Sequence, residues 1–262
     1  MILKSKIEEA ALRLRTAEKN GIVCAPVRDI LGVEDLVSAY EVQNVNTMLR
    51  KNDGARVVGH KIGLTAPIVQ KQLGVDQPDF GLLWHDREVL NGGEISVTEV
   101  MQGKAEAEIA FVLKRDLDSE NLSTVDVLNA IEYALPSIEI VGSRIKDWDV
   151  KITDTIADNA SASHWVIGHQ PSKLDDVDLI NCRMQMTNHG KLVSEGIGRA
   201  CLGSPVNAVL WLAKKMVVMG SSLKAGDLIL SGALGPVVNI KAGDHFIVSI
   251  EGLGSVSATF TN

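Results

Sequence analysis

An uninterrupted apolar run, Ile109-Ala110-Phe111-Val112-Leu113, follows directly on Gly103-Lys104-Ala105-Glu106-Ala107-Glu108, and this junction constrains the fold more than any other stretch. Five consecutive apolar residues predict a strand buried on both faces, and so a central strand of a covered sheet. Extended backward with the strand period of two, the same strand puts Glu106 and Glu108 on one face, about 6–7 Å apart. Two carboxylates at the mouth of a buried strand repel each other and require a cation or a set of donors. Lys104 alone is a poor answer to that need. A third carboxylate, Glu139, stands within Leu135-Pro136-Ser137-Ile138-Glu139-Ile140-Val141, where apolar residues on both sides leave little room for solvent. An E-x-E pair by itself is commonly a solvated face; with Glu139 added, the pattern predicts a site for a hard cation.

The 262 residues suffice for one large domain, or for a core domain with a smaller helical appendage. Acidic residues exceed basic ones, 33 to 26, and no basic cluster interrupts the balance, which argues against a nucleic-acid surface. No run of eighteen apolar residues and no signal-peptide pattern is present, so no membrane span is expected and a cytoplasmic protein is. Cys24, Cys182 and Cys201 are widely separated and odd in number, which disfavours a disulfide framework or a zinc knuckle.

Helical spacing from Ile7 to Gly21 and from about Val33 to Lys51 predicts two amphipathic helices, the second broken by Asn52-Asp53-Gly54. In the second, Leu36, Val37, Tyr40, Met48 and Leu49 form the expected apolar stripe. The texture then turns β-rich and glycine-punctuated, predicting an N-terminal helical cap over residues 1–54 and a β-rich domain over 55–262. Asp86 to Gly93 reads as a hairpin connection. Ser123 to Leu135 reads as a helix ended by Pro136, returning the chain to the Glu139 strand. Asn188-His189-Gly190 reads as a hairpin tip, and Asn207 to Met219 as a helix stopped by Gly220. Lys61, between apolar residues and glycines, is placed to present an ammonium to an anion. The polar loop from Thr153 to Ser161 supplies Asp158, Asn159 and Ser161 as wall residues, although solvated loop positions are the commoner outcome. Ser231-Gly232-Ala233 could offer backbone N–H groups to a carboxylate, with a plain structural turn as the simpler reading.

Several longer motifs stand in a fixed order: Gly59-His60-Lys61-Ile62-Gly63-Leu64-Thr65, Gly74-Val75-Asp76-Gln77-Pro78-Asp79-Phe80-Gly81, Glu106-Ala107-Glu108-Ile109-Ala110, Glu139, Val141-Gly142-Ser143-Arg144-Ile145 and Ala157-Asp158-Asn159-Ala160-Ser161. Over nearly its whole length the chain resembles the bacterial 2-hydroxypenta-2,4-dienoate hydratases of the fumarylacetoacetate hydrolase superfamily. The resemblance implies an α+β fold, a mixed β-sandwich roll with an N-terminal helical segment. It also implies a divalent cation held by Glu106, Glu108 and Glu139, with Lys61, Asp79 and Ser161 as catalytic residues near the substrate. Three oxygen ligands without Cys or His favour Mg²⁺ or Mn²⁺, with Ca²⁺ as a further option, leaving about three octahedral positions open, two of which suit the carboxylate and 2-oxo oxygens of a 2-oxo acid.

The activity implied is a hydro-lyase reaction of aromatic meta-cleavage catabolism. Water adds to 2-hydroxypenta-2,4-dienoate, through its enone tautomer, at C4, and a proton at C3 completes 4-hydroxy-2-oxopentanoate. Lys61 is assigned to the oxyanion or carboxylate, Asp79 to proton shuttling, and Ser161 to orienting substrate or water. Homo-oligomers and a pathway aldolase or decarboxylase as partner also follow from the resemblance. The rival reading is a metal-dependent 2-oxo-3-hexenedioate (4-oxalocrotonate) decarboxylase, whose dicarboxylate would need a far-end cation such as Arg144 or Lys151. A non-catalytic assembly subunit of such a pathway is the alternative of a different class.

Overall fold

The structure is a computed structural model that describes residues 4–66, 70–71 and 75–262. Gly74, the first residue of the Gly74–Gly81 motif, lies outside the described residues. Three helices open the described chain: α1 (Lys4–Asn20), α2 (Arg28–Leu31) and α3 (Leu36–Asn52). Strands β1 (Val57–Gly63), β2 (Asp79–Trp84), β3 (Glu94–Ser96), β4 (Lys104–Leu113), β5 (Ile131–Val141) and β6 (Ala162–Ile167) follow, with the short helices α4 (Thr124–Ala130) and α5 (Ile152–Ala157) between them. The remainder is β7 (Arg183–Asn188), β8 (Lys191–Ile197), α6 (Pro205–Val218), β9 (Leu228–Leu230), β10 (Val238–Asn239), β11 (His245–Ile250) and β12 (Gly254–Thr261).

One mixed sheet runs β2-β1-β9-β4-β5-β6, with β10 also paired to β4, and a second runs β3-β12-β11-β7-β8. As the apolar run predicts, β4 is central, between β9 and β5. The first sheet curls until its ends meet: β2 touches β6, and the Trp165 indole N–H donates to the Trp84 carbonyl at 3.1 Å. A curled sheet has two faces with different company. Outward-facing residues such as Ile109, Phe111, Ile138 and Ile229 join the main core, which also takes in Phe246 and Phe260 of the second sheet, Leu14 of α1, Val42 of α3 and Leu212 of α6. Inward-facing Leu83, Ala110, Leu135, Trp165, Leu228 and Leu230 form a separate cluster inside the roll. Alternation along β4 puts Lys104, Glu106 and Glu108 on that same inner face, stepping from the rim toward the plug at Ala110.

Some expectations are revised. The helix after Ser123 stops at Ala130, and Ile131 to Val141, Pro136 included, is strand. A proline is tolerated there because the Pro136 backbone faces β6 where that strand has just ended; its carbonyl takes the Gly168 N–H at 2.8 Å and no donor is demanded of it. Asp86 to Gly93 is not a hairpin connection but carries the chain to the other sheet, where β3 pairs in parallel with β12. In α3 the buried face is Ser38, Ala39, Tyr40, Val42, Gln43 and Thr47, while Val37 and Met48 are exposed. The polar members are buried because they have buried partners: the Gln43 amide donates to the carbonyls of Phe80 (2.9 Å) and Ile156 (3.0 Å). The thiols of Cys24, Cys182 and Cys201 are all free. Among the described residues no helix is long and apolar enough to cross a membrane.

Candidate metal centre and active site

The β4–β5 register sets Glu106 directly opposite Glu139, and Glu108 opposite Ser137. Like charges directly across a strand pair are destabilising unless something compensates them. Here each of Glu106, Glu108 and Glu139 offers an oxygen within 4.8 Å of the others; Glu106 is half-buried, Glu108 and Glu139 fully buried. Compensation from the chain is partial. The Gly232 N–H donates to Glu108 Oε2 at 2.8 Å, and Lys61 Nζ lies 3.0 Å from Glu139 Oε1, an ion-pair contact without the alignment of a hydrogen bond. Glu108 Oε1 and both oxygens of Glu139 have no hydrogen-bond partner among the described residues. Buried carboxylate oxygens are rarely left so. Convergent, hard and unsatisfied, this donor set fits a divalent cation.

Electrostatics tell the same story. Burial, reinforced by Glu139 and Glu106, pushes the Glu108 carboxyl well above its usual range. Burial pushes Glu139 up to about 7 against the opposing pull of Lys61, and Glu106 is also raised by burial. Burial alone would lower the Lys61 pKa, but Glu139, Glu106, Asp79 and Glu108 outweigh it and keep the ammonium charged. An acid whose pKa is higher folded than unfolded binds more protons in the folded state. Stability of the metal-free chain therefore falls as pH rises from the ordinary 4.5 of a glutamate through about 7. A divalent cation relieves this by binding the ionised form. Thermal melts with Mg²⁺ or with chelator should accordingly diverge as pH rises from about 5 to 8, reaching a gap of about 5–10 °C at saturating cation. A gap that is constant or shrinks with pH would contradict this electrostatic account.

Asp79, at the start of β2, is buried and pairs in register with Gly63, its carboxyl raised by burial and pulled back by Lys61 and a Thr155 hydrogen bond. Gly63 is what makes room. A Cβ there would fall 2.2 Å from Asp79 Oδ1 and 3.5 Å from Lys61 Nζ. Tyr40 of α3 stacks on Phe80 at 4.8 Å, so the N-terminal helices brace the Asp79 strand.

Ser161 closes a turn in which Asn159, Ala160 and Ser161 all have positive φ, 55°, 49° and 56°. Left-handed backbone costs about 1–2 kcal/mol per non-glycine residue, so the turn must be held from outside. The Asn159 side chain exchanges two hydrogen bonds with Leu82, and Lys61 Nζ donates to the Ala160 carbonyl at 2.9 Å. Gly142 N–H donates to the Ser161 carbonyl at 2.8 Å, and Gly81 lets the turn close in, since a Cβ there would meet the Asn159 carbonyl oxygen at 2.2 Å. The result is a buried Ser161 whose Oγ has no partner among the described residues. Asp158 and Ser161 are thus buried rather than the solvated loop positions that composition favours. Asp158 is also no wall residue: it binds Arg144 through Nε at 2.5 Å and through its backbone N–H at 3.0 Å. The other non-glycine residues with positive φ among the described residues are Leu64, Gln102, Asp147, Trp148, His189 and Leu202.

The six side chains singled out from sequence are therefore placed on the inner face or rim of one roll. Sequence reasoning missed Thr155, which bonds Asp79, and Gln43, which holds the carbonyls of Phe80 and Ile156; it named Gly63 only as a flanking glycine and left the Gly232 N–H as a bare possibility. Only Gly63 carried a readable signal, as a glycine two residues from Lys61.

The sequence profile described as Fumarylacetoacetate (FAA) hydrolase C-terminal matches residues 60–261. The chain is 53% identical over 254 residues to the TodF product hydratase of Pseudomonas putida F1, covering 97% of this chain and 95% of that protein. It is 52% identical over 253 residues to 2-keto-4-pentenoate hydratase 1 of Dechloromonas aromatica RCB, covering 97% and 96%. Among solved structures, 4-oxalocrotonate decarboxylase from Pseudomonas putida G7, complexed with magnesium and adipate, is similar with a TM-score of 0.95 at 31% identity over 99% of both chains. On the match of profile, sequence and architecture, the chain belongs to the fumarylacetoacetate hydrolase family.

Proposed function

We propose that this chain is a divalent-metal-dependent hydro-lyase that adds water to 2-hydroxypenta-2,4-dienoate (2-keto-4-pentenoate) to give 4-hydroxy-2-oxopentanoate, in the meta-cleavage catabolism of aromatic compounds. One observation carries the chemistry: three converging carboxylates whose buried oxygens lack partners, set against a charged Lys61 at the mouth of an apolar roll. In this reading Glu106, Glu108 and Glu139 hold the cation, Mg²⁺ or Mn²⁺ by the hardness of the donors. When bound, it supplies Lewis-acid polarisation of a 2-oxo acid.

The remaining work falls to the chain. Lys61, charged and anchored by the Ala160 carbonyl, balances negative charge developing on the substrate oxygen. Asp79, its pKa raised, is suited to hold and release the proton exchanged with the substrate carbon chain. The Ser161 hydroxyl, without a partner among the described residues, orients substrate or the attacking water. The apolar cluster behind the carboxylates excludes bulk water from the reacting diene. Lys61→Met and Asp79→Asn should each lower kcat by about a hundredfold while leaving the bound metal stoichiometry unchanged. Unchanged turnover in both variants would remove these two assignments.

Substrate charge separates hydratase from decarboxylase. Arg144, one candidate for a far-end carboxylate, is consumed by Asp158 and by the carbonyls of Gly142, Asp158 and Ala162. Lys151, the other, is exposed to solvent. Together with identities above 50% to hydratases, this favours the monocarboxylate. Presented with 2-hydroxypenta-2,4-dienoate and 2-oxo-3-hexenedioate in parallel, the loaded chain should hydrate the first and release no carbon dioxide from the second. The opposite pattern would assign it as the decarboxylase. The same reading carries with it a cytoplasmic homo-oligomer, with the pathway aldolase or decarboxylase as candidate partner, checked by sedimentation and fractionation.

A further inference from the structure

The roll has one inward-facing cation besides Lys61 on the strands that build the carboxylate cluster. Lys104 stands two residues before Glu106, on the same face of β4 and paired with Val141, at the outer rim of the carboxylate row. It is half-buried, makes no close ion pair among the described residues, and feels the Glu106 carboxylate next to it on that face. Its Nζ lies 4.1 Å from the centroid of the Trp148 ring. That ring is fixed in its turn: Trp148 has φ 55°, its indole N–H donates to the Gln102 carbonyl at 3.0 Å, and the Gln102 side chain binds the carbonyls of Ser143 and Ile145 and the Asp147 N–H. Gln102 itself has φ 53°. Two residues in a costly backbone conformation, locked to each other, hold an aromatic platform under one lysine.

Charge explains why a cation belongs there. Lys61 and a divalent cation together only just balance the three glutamates, so whenever Asp79 is ionised the loaded mouth is net negative and repels an anion. A second lysine at the rim cancels that remainder. We propose that Lys104, presented by the Trp148 ring, captures the substrate carboxylate at the entrance and sets the preference for anionic 2-oxo acids. The inference rests on the hydratase reading for its substrate, though not for its binding arms.

Lys104→Met keeps the aliphatic stem and removes the charge. At low ionic strength its kcat/KM for 2-hydroxypenta-2,4-dienoate should fall about tenfold through KM, with kcat within about twofold. Salt should depress kcat/KM of the wild-type chain and leave that of Lys104→Met nearly flat, while Lys104→Arg keeps most of the wild-type behaviour. Calorimetry adds two readouts without turnover: pyruvate should bind the Mg²⁺-loaded variant about tenfold more weakly, and Mg²⁺ alone should bind it about threefold more tightly once a repelling ammonium is gone. A flat salt response in the wild-type chain, or a variant that loses kcat rather than KM, overturns the proposal. Should the wild-type chain not hydrate the dienoate, the hydratase reading fails while the pyruvate and Mg²⁺ titrations still decide the role of Lys104; unchanged affinities for both would sink it. Lys104→Gln serves the same comparisons if Lys104→Met does not fold.

Discussion

Glu108→Gln is expected to lower turnover by about a thousandfold and, at the same time, to raise the melting temperature of the metal-free chain. If the three carboxylates hold the cation as proposed, removing one of them forfeits both cation affinity and the several kcal/mol of transition-state stabilisation that a Lewis acid supplies. The opposite sign for stability follows from the geometry. Glu108 is fully buried beside Glu106 and Glu139, and its carboxyl is raised by burial and by those two neighbours. A neutral amide of the same shape removes that repulsion and can still accept the Gly232 N–H that Oε2 receives at 2.8 Å. At pH 8 the metal-free variant should melt a few degrees above the metal-free wild type, by about 1–2 kcal/mol at about 2–4 °C each. Differential scanning calorimetry under chelator, beside a metal-binding titration, checks both halves. A variant that is less stable without metal would show that the cluster is not strained by its own charge.

Arg144→Met should be the most damaging single change outside the carboxylates. Arg144 and Asp158 are both buried, and Arg144 also bonds the carbonyls of Gly142 and Ala162, at 2.7 and 3.2 Å, and that of Asp158. Breaking a buried pair by removing one partner costs about 3–5 kcal/mol, because the other charge is left uncompensated. For a chain of this size that amounts to a loss of about 10 °C in melting temperature. The effect has a pH signature. Burial already pushes Asp158 up to about 6 with Arg144 present. Without the arginine its carboxyl rises further, so the variant should be least destabilised at low pH, where Asp158 is protonated, and most destabilised above neutrality. Function should suffer as well, since Asp158 leads into the strained Asn159–Ser161 turn whose Ala160 carbonyl anchors Lys61. Melting curves between pH 5 and 8 test this; a loss independent of pH would mean that packing rather than charge dominates.

What sequence made legible was whatever depends on short-range periodicity. The E-x-E spacing and the apolar run fix a central strand and the face on which its carboxylates sit, and the His189-Gly190 tip fixes a hairpin. Pro136 misled because a proline after a helical pattern ordinarily ends a helix, whereas here the strand β5 begins five residues earlier and the proline sits where its missing N–H is not needed. Arg144 and Lys151 looked equivalent from sequence, yet one is buried in a five-bond clasp with its neighbours and the other is exposed to water. No local pattern distinguishes those fates, because they are set by where the 158–161 turn packs. Lys104 is the instructive omission: its parity with Glu106 was readable, but the fixed Trp148 ring beneath it arises from contacts forty-odd residues away.

If this carboxylate cluster, loaded with a divalent cation, serves the hydration of a 2-oxo dienoic acid, gain of water must depend on the cation. The most direct test follows freshly generated 2-hydroxypenta-2,4-dienoate in the presence of the Mg²⁺- or Mn²⁺-loaded chain and of the chelated chain, by loss of dienol absorbance and by product mass. Gain of one water, dependent on added cation and absent under chelator, is the expected result. Hydration that proceeds equally with and without chelator, or loss of absorbance with no water gained, would contradict it.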